Sequence, residues 1–468
     1  MQVSRRNFLQ SLSVCGVPLL LPRISVGREI ISSPSEHFIR RDVSLMADSD
    51  PILSSYKKAV DIMKKLPSSD HRNWTNQALI HNNLCPHYNW YFLPWHRSYL
   101  YYFEQICRQL SGNPQFALPY WNWTTTPKIP ATFWGDGNPL NDGTRIAQPT
   151  SIADSRQVGS ATIESILKIK SFETFASGKD VCYNRYGSQG GQLESTPHNY
   201  IHAGFVLGDM GKMMSPLDPI FWLHHANIDR LWNEWNSRGN RNSTDGAWVN
   251  CDFINHFYDV TGNPISMTVS KVLSTKALGY VYDDDSEAFV NSLTSSFSLM
   301  DAGLKGIAEN LNSIRTNEFI SARLDLSQGF FKTIDTLRTS VANHPNDEII
   351  KLYIEGVQLP AIKDFYLRVF MNCDYVGPDV PVTDPVSIGF INFFGNHTGD
   401  GDMMQHETHH ISYVFEVTDN IKRLTAERKI NQENIRVQIL AIPYKSTGSS
   451  QEIKAQSIRL EVQRRENQ

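Results

Sequence analysis

The sequence predicts a mainly α domain with a four-helix-bundle core, followed by an all-β, sandwich-like C-terminal domain. Three observations predict it. Histidines recur on the apolar stripes of separate helical segments in the first half. Five short runs after residue 346 alternate apolar and polar residues. And 468 residues suit two compact units better than one. Hydrophobic residues make up 40% and charged residues 20%, which excludes a disordered chain. Lys plus Arg is 44 against 48 Asp plus Glu, a net charge of -4, so no basic excess invites nucleic acid. No apolar run reaches the roughly 18–20 residues of a membrane span.

The order of elements begins with an export signal over 1–30. Ser4-Arg5-Arg6-Asn7-Phe8-Leu9 and the short apolar stretch to Leu21 read as a twin-arginine signal, placing the protein in the periplasm or outside the cell. The helical domain is expected over 35–285. Within it, Pro94 marks a helix start, followed by His96, Tyr99, Leu100, Phe103, Ile106, Cys107 and Leu110 at helical spacing. Ser195-Thr196-Pro197 opens another segment with His198 and His202 one turn apart. Asp218-Pro219 opens a third, carrying Phe221, His225, Ile228, Trp232 and Trp235 on one stripe. A bundle with a site in its core follows. Residues 286–345 read as a polar linker with some helical periodicity at Leu304, Ile307, Leu311 and Ile314. The β-domain spans 346–445, its runs starting at Ile349, Phe365, Val386, Ser412 and Ile435, and 446–468 is expected as a frayed polar tail.

Six cysteines stand at 15, 85, 107, 182, 251 and 373. Loss of the signal leaves five, and an odd number points to a free thiol or one cysteine in other chemistry. Their spacing shows neither a disulfide framework nor a CxxC zinc pair.

Seven of the fifteen histidines fall between 81 and 225. One cluster is His81, His87 and His96; the other is His198, His202 and the pair His224-His225. Rings at i and i+4 of one helix, the spacing of His198 and His202, aim at a common point, and two clusters of three, each closing onto an aromatic-flanked helix, point to metal. Imidazoles without carboxylates or a tetrathiolate disfavour Mg, Ca, Mn and the two-histidine-one-carboxylate iron site. Zinc on three histidines stays open. Copper suits imidazole best, and two copper ions can pass one electron each to O2.

These residues carry a resemblance. His81-Asn82-Asn83-Leu84-Cys85-Pro86-His87 with Trp90-Tyr91-Phe92-Leu93-Pro94-Trp95-His96-Arg97 resembles the first copper motif of the tyrosinase and polyphenol oxidase family. Glu194 through His202, with Ser215 through Trp232, resembles the second, and Tyr280-Val281-Tyr282 is similar to the Tyr-x-Tyr motif that closes the family's catalytic domain. The resemblance implies a dicopper site with O2 as co-substrate. One copper falls to His81, His87 and His96, the other to His198, His202 and His225. His224 lies beside the site, and Asp229, one turn after His225, orients an imidazole. Spacing alone does not choose between His224 and His225. The gap from His81 to His87 is tight for the family, which leaves His71 as the alternative first ligand. Cys85 is expected to be thioether-linked to His87.

The resemblance further implies that O2 oxidises small phenols: monophenols are hydroxylated and o-diphenols become o-quinones. Glu194 and Asn199 are the catalytic pair, holding a water that assists phenol deprotonation. A gate residue falls near Met213 or Met214. The C-terminal domain is expected to shield the site, and His397, His406, His409 and His410 are read as ordinary loop and strand residues. A catechol oxidase without monophenolase activity, a haemocyanin-like O2 carrier and a zinc hydrolase are the competing readings.

Overall fold

In a computed structural model, residues 37–285, 299–309, 311–327, 329–330, 348–360, 362–395, 410–430, 435–445 and 452–465 are described. The 1–30 signal region lies outside them, as do His397, His406 and His409. His37–Gln468 forms a single compact unit containing two hydrophobic clusters. Among the described residues no helix is long and apolar enough to cross a membrane.

The first cluster lies among the helices Pro51–Lys65, Trp74–Leu84, Phe92–Ser111 and Ile220–Ser237. Local chemistry sets their starts. Asp50 and Asn73 cap the first two, accepting from backbone N–H groups that the opening turn leaves free. Asp218 accepts from the Ile220 amide at the fourth, with Pro219 just ahead of it. Gly112 in a left-handed conformation ends the third. Between the third and fourth lie two wide-turned π-helical pieces, Glu194–His198 and Tyr200–Val206. Such turns are rare and mark functional positions. Pro197, lacking an N–H, sits inside the first.

The second cluster lies among the β elements. All five period-two runs are strands. Ser387–Ile391, Phe365–Met371, Arg436–Pro443 and Phe319–Arg323 form a four-stranded sheet. A six-stranded sheet runs Gln189–Gly190, His410–Glu416, Glu348–Gln358, Ser457–Arg465, Leu299–Glu309 and Asp325–Leu326. Two expectations are corrected here. The described parts of the 286–345 linker include strands: Leu299–Glu309 pairs with Ser457–Arg465, and Phe319–Arg323 with Arg436–Pro443. The 446–468 tail includes Ser457–Arg465, a strand flanked on both sides. The register of Leu299–Glu309 shifts beside Gly303, whose φ is +71°. A bulge breaks the period of two, so Leu304 and Ile307 imitate helical spacing.

The β part meets the helical part through main chain as well as side chains. Gln189–Gly190 pairs in parallel with Ser412 and Tyr413. Gln192 Nε2 donates to Val414 O at 2.7 Å, and Lys351 Nζ to Ser171 Oγ at 2.9 Å.

Cys182 and Cys251 form a disulfide across 69 residues of sequence, a pairing that spacing did not reveal. Cys85, Cys107 and Cys373 are buried thiols. Non-reducing peptide mapping should recover the 182–251 link. Replacing both residues by Ser should cost about 2–4 kcal/mol of stability, read as a lower denaturant midpoint.

Candidate metal centre

Six segments deliver the histidines. His81 comes from the helix Trp74–Leu84, His87 from the turn behind it and His96 from Phe92–Ser111. His198 and His202 come from the π-helical pieces, and His224 and His225 from Ile220–Ser237. All seven are buried. His81, Cys85, His87 and His96 present donor atoms within 4.8 Å of one another, as do His198, His202, His224 and His225. The groups adjoin: the His96 and His225 rings stack at 4.2 Å, and those of His87 and His198 lie 5.7 Å apart. His71, the alternative first ligand, is exposed and stacks on Tyr258 at 4.3 Å.

Each ring needs a partner for one nitrogen if the other is to keep a lone pair for a metal. Nδ1 of His81 donates to Met213 O at 2.6 Å, of His96 to Phe92 O at 2.8 Å and of His202 to Met210 O at 2.7 Å. His198 Nδ1 donates to Asn199 Oδ1 at 2.8 Å, and His87 Nδ1 to Glu194 Oε1 at 2.9 Å. Five rings thereby direct an Nε2 lone pair inward. His224 is wired the other way. The Trp123 indole, a donor only, gives its N–H to His224 Nδ1 at 3.2 Å, which places the neutral ring's proton on Nε2. His225 has no such donor, and its Nε2 lies 3.1 Å from His202 Nε2. The tautomer logic thus favours His225.

Burial pushes all seven imidazoles to lower pKa, His81 to about 3. They are neutral at pH 7, the form that ligates metal. The donor set fits copper: imidazole nitrogen, with one thiol as the sole non-nitrogen atom. Cys85 Sγ lies 3.3 Å from Nε2 of both His87 and His96. Burial raises its pKa well above the usual thiol value.

The expected catalytic pair is committed to the rings. Glu194 accepts from His87 Nδ1, the Tyr88 amide and Ser177 Oγ. Burial pushes its carboxyl up to about 8 against the last two donors. Asn199 bonds His198 through Oδ1 and Asn392 O, at 2.8 Å, through Nδ2. Asp229 does not orient an imidazole. It accepts from Arg97, Arg40, Tyr280 and Tyr282. Burial alone would raise its pKa, but the two guanidinium groups hold it below the usual carboxylate range. One helical turn past His225, its side chain faces Arg97 rather than a ring.

One residue at the site was missed in the sequence. Phe394, buried three residues past the β-domain's strand Ser387–Ile391, lies 4.3 Å from the His202 ring, 5.2 Å from His87 and 5.6 Å from His198. Phe393-Phe394-Gly395 stands in an unremarkable apolar stretch, and no local signal sets it apart. Met213, near the expected gate, contributes its carbonyl to His81.

Comparison with known proteins agrees with this geometry. The common central domain of tyrosinase matches residues 54–157 and 141–238, and the polyphenol oxidase middle domain matches 242–294. Tyrosinase HcTyr1 of Hahella sp. is 28% identical over 86% of this chain and 95% of its own. Aureusidin synthase of Antirrhinum majus is 30% identical over 76% and 70%. The chloroplastic polyphenol oxidase of Malus domestica is 30% identical over 68% of this chain, which spans 62% of that relative's length. Among solved structures, latent apple tyrosinase superimposes with a TM-score of 0.68 over 92% of this chain and 98% of that one, at 23% identity. An octopus haemocyanin functional unit reaches 0.51 at 16% over 90% and 99%. Both likenesses concern the fold alone.

Two measurements check the centre. His225→Ala should abolish binding of one copper ion, whereas His224→Gln should leave copper stoichiometry unchanged, both read by metal analysis. Acid should also destabilise the metal-free protein. Unfolded histidine protonates near pH 6.5, whereas the folded rings protonate far lower, His81 at about 3. Below pH 6.5 the unfolded chain binds more protons, so stability falls from there towards pH 3, by about 1.4 kcal/mol per ring per pH unit. A melting temperature flat from pH 7 to 4 would contradict this.

Proposed function

The chain belongs to the tyrosinase and polyphenol oxidase family of copper oxidases, and from that premise we propose that it hydroxylates monophenols and oxidises o-diphenols to o-quinones with O2. One observation carries the reading: two groups of buried, neutral imidazoles meet face to face, with His96 stacked on His225. In this proposal His81, His87 and His96 hold one copper and His198, His202 and His225 the other. The copper pair supplies two-electron exchange with O2 and a Lewis acid for the phenolic oxygen.

The chain's own residues do the rest. Glu194 fixes the His87 ring and Asn199 the His198 ring, so both act through ligands. Asn199 Nδ2, engaged by Asn392 O here, is released when the β-domain withdraws and can then hold a water against the incoming phenol. Cys85, within reach of the His87 ring, is the partner for a thioether that would lock it. Phe92 and Phe221 keep the rings dry, at 4.7 Å from His96 and 4.2 Å from His225. Phe394 occupies the place a phenol ring would take, so the β-domain is a built-in shield. Export through the twin-arginine pathway completes the reading; the Cys182–Cys251 disulfide suits an oxidising compartment.

Oxygen uptake with tyrosine and with catechol in parallel tests the reading. Copper-loaded intact protein should be slow with both, and Phe394→Ala should raise the rate at least about tenfold, or ~1.4 kcal/mol of barrier. Reversible bleaching on deoxygenation without quinone would point to an oxygen carrier. Equal rates in both proteins would overturn the shielding role.

A further inference from the structure

Trp95, next to His96 in the chain, links the histidine rings to the surface. Its ring lies 5.1 Å from that of His96 and 6.2 Å from that of His81, and it is fully buried. Its indole N–H donates to His256 Nδ1 at 3.0 Å. The His256 ring lies 6.2 Å from that of Tyr183, which is 54% exposed. Trp95, His256 and Tyr183 line one surface cleft. The other contacts of Trp95 run inward: Tyr99, 5.0 Å from it, and Trp222, 4.6 Å from Tyr99, are both buried.

Three backbone features hold this arrangement. The strand Asp252–Tyr258 shifts register against Pro264–Thr268 between Phe253 and Phe257, with Asn255 at φ +56°. A bulge of this kind re-aims the side chains beside it, and His256 is the residue that meets Trp95. Tyr183 stands at φ +73°, a conformation costly for a bulky side chain and concentrated at functional positions. The Cys182–Cys251 disulfide joins the loop that carries Tyr183 to the start of the strand that carries His256.

We propose that Trp95, His256 and Tyr183 form a relay that carries oxidising equivalents from the copper pair to the surface, which makes Tyr183 a site of oxidative modification. The proposal rests on the dicopper reading above and extends it to the state in which no phenol is bound. Indole and phenol rings are the most easily oxidised aromatic side chains. An indole that gives up an electron becomes strongly acidic at Nε1, so it needs a proton acceptor in contact. His256 fills that role: burial lowers its pKa to about 4, so its ring is neutral at pH 7 and Nδ1 can accept. Hydrogen peroxide, the two-electron reduction product of O2, is the oxidant. Each peroxide takes up two electrons and two protons and leaves as two waters. Each Tyr183 phenol supplies one electron through Trp95 and one hydroxyl proton, becoming a phenoxyl radical, and His256 returns its proton to the refilled indole. Two such radicals, on two molecules, couple through a carbon–carbon bond to give dityrosine.

The test uses copper-loaded full-length Phe394→Ala protein, in which the shielding ring is removed, treated with hydrogen peroxide and no phenol. A covalent dimer with dityrosine fluorescence should form, and peptide mapping should place the bond at Tyr183. Copper-free protein should give none. Adding Tyr183→Phe should abolish the dimer and move oxygen addition back to Trp95, with catechol oxidation unchanged. His256→Gln keeps an acceptor for the indole N–H but no base, so it should lose the dimer too; a dimer formed there as readily would remove His256 from the relay. If the chain oxidises catechol while peroxide leaves Tyr183 unmodified, or if Tyr183→Phe dimerises equally, the relay is overturned and the phenol-oxidase reading stands. A chain that binds no copper pair sinks both.

Discussion

Everything at this site depends on how seven buried imidazoles are kept neutral and correctly protonated. Removing them from water makes their charged form costly, so each ring keeps one proton and one lone pair. The fold then decides which nitrogen has which. Three backbone carbonyls, of Phe92, Met210 and Met213, take the Nδ1 proton of three rings. Asn199 and Glu194 take two more. His224 is turned the opposite way by a tryptophan N–H. Adjacent histidines of identical chemistry are thus sorted by a donor 101 residues distant in sequence.

The scaffold that holds these rings is pinned by a second buried electrostatic centre. Asp229, on the helix that carries His225, gathers Arg97 from the helix that carries His96, Arg40 from the start of the domain, and Tyr280 and Tyr282 from its end. Four stretches far apart in sequence meet on one carboxylate. A buried charge left unpaired is heavily penalised, so these contacts specify the relative placement of the helices on either side of the metal centre. Arg97 also lies over the Trp232 ring at 3.7 Å, tying the same two helices by a cation–π contact.

The β-domain enters the same logic from outside. Its strands make their own core, yet its edge supplies Phe394 to the histidine rings and accepts hydrogen bonds from Asn199 and Tyr88. Shielding and site organisation share those polar groups. Asn199 orients His198 with one end and holds the β-domain with the other, so one side chain couples the ring to the domain that covers it.

The helices that carry His96 and His225, the five strand runs and the two histidine clusters were legible in the amino-acid order, because apolar periodicity and short-range spacing report on local geometry; the helices Pro51–Lys65 and Trp74–Leu84 were not placed from it. The place of Cys85 two residues before His87 was legible too. What could not be read there depends on partners distant along the chain. The orientation of His224 rests on Trp123, the binding of Asp229 on two arginines and two tyrosines, and the Cys182–Cys251 bond on two loops brought together. The strand at Leu299–Glu309 was hidden because a bulge at Gly303 disturbs its alternation, and the one at Ser457–Arg465 because its surroundings are polar. Phe394 is the clearest case. Its residue type is ordinary for a core, and only the packing of one domain on the other sets its ring among the histidines, since periodicity carries no information about which buried face meets which.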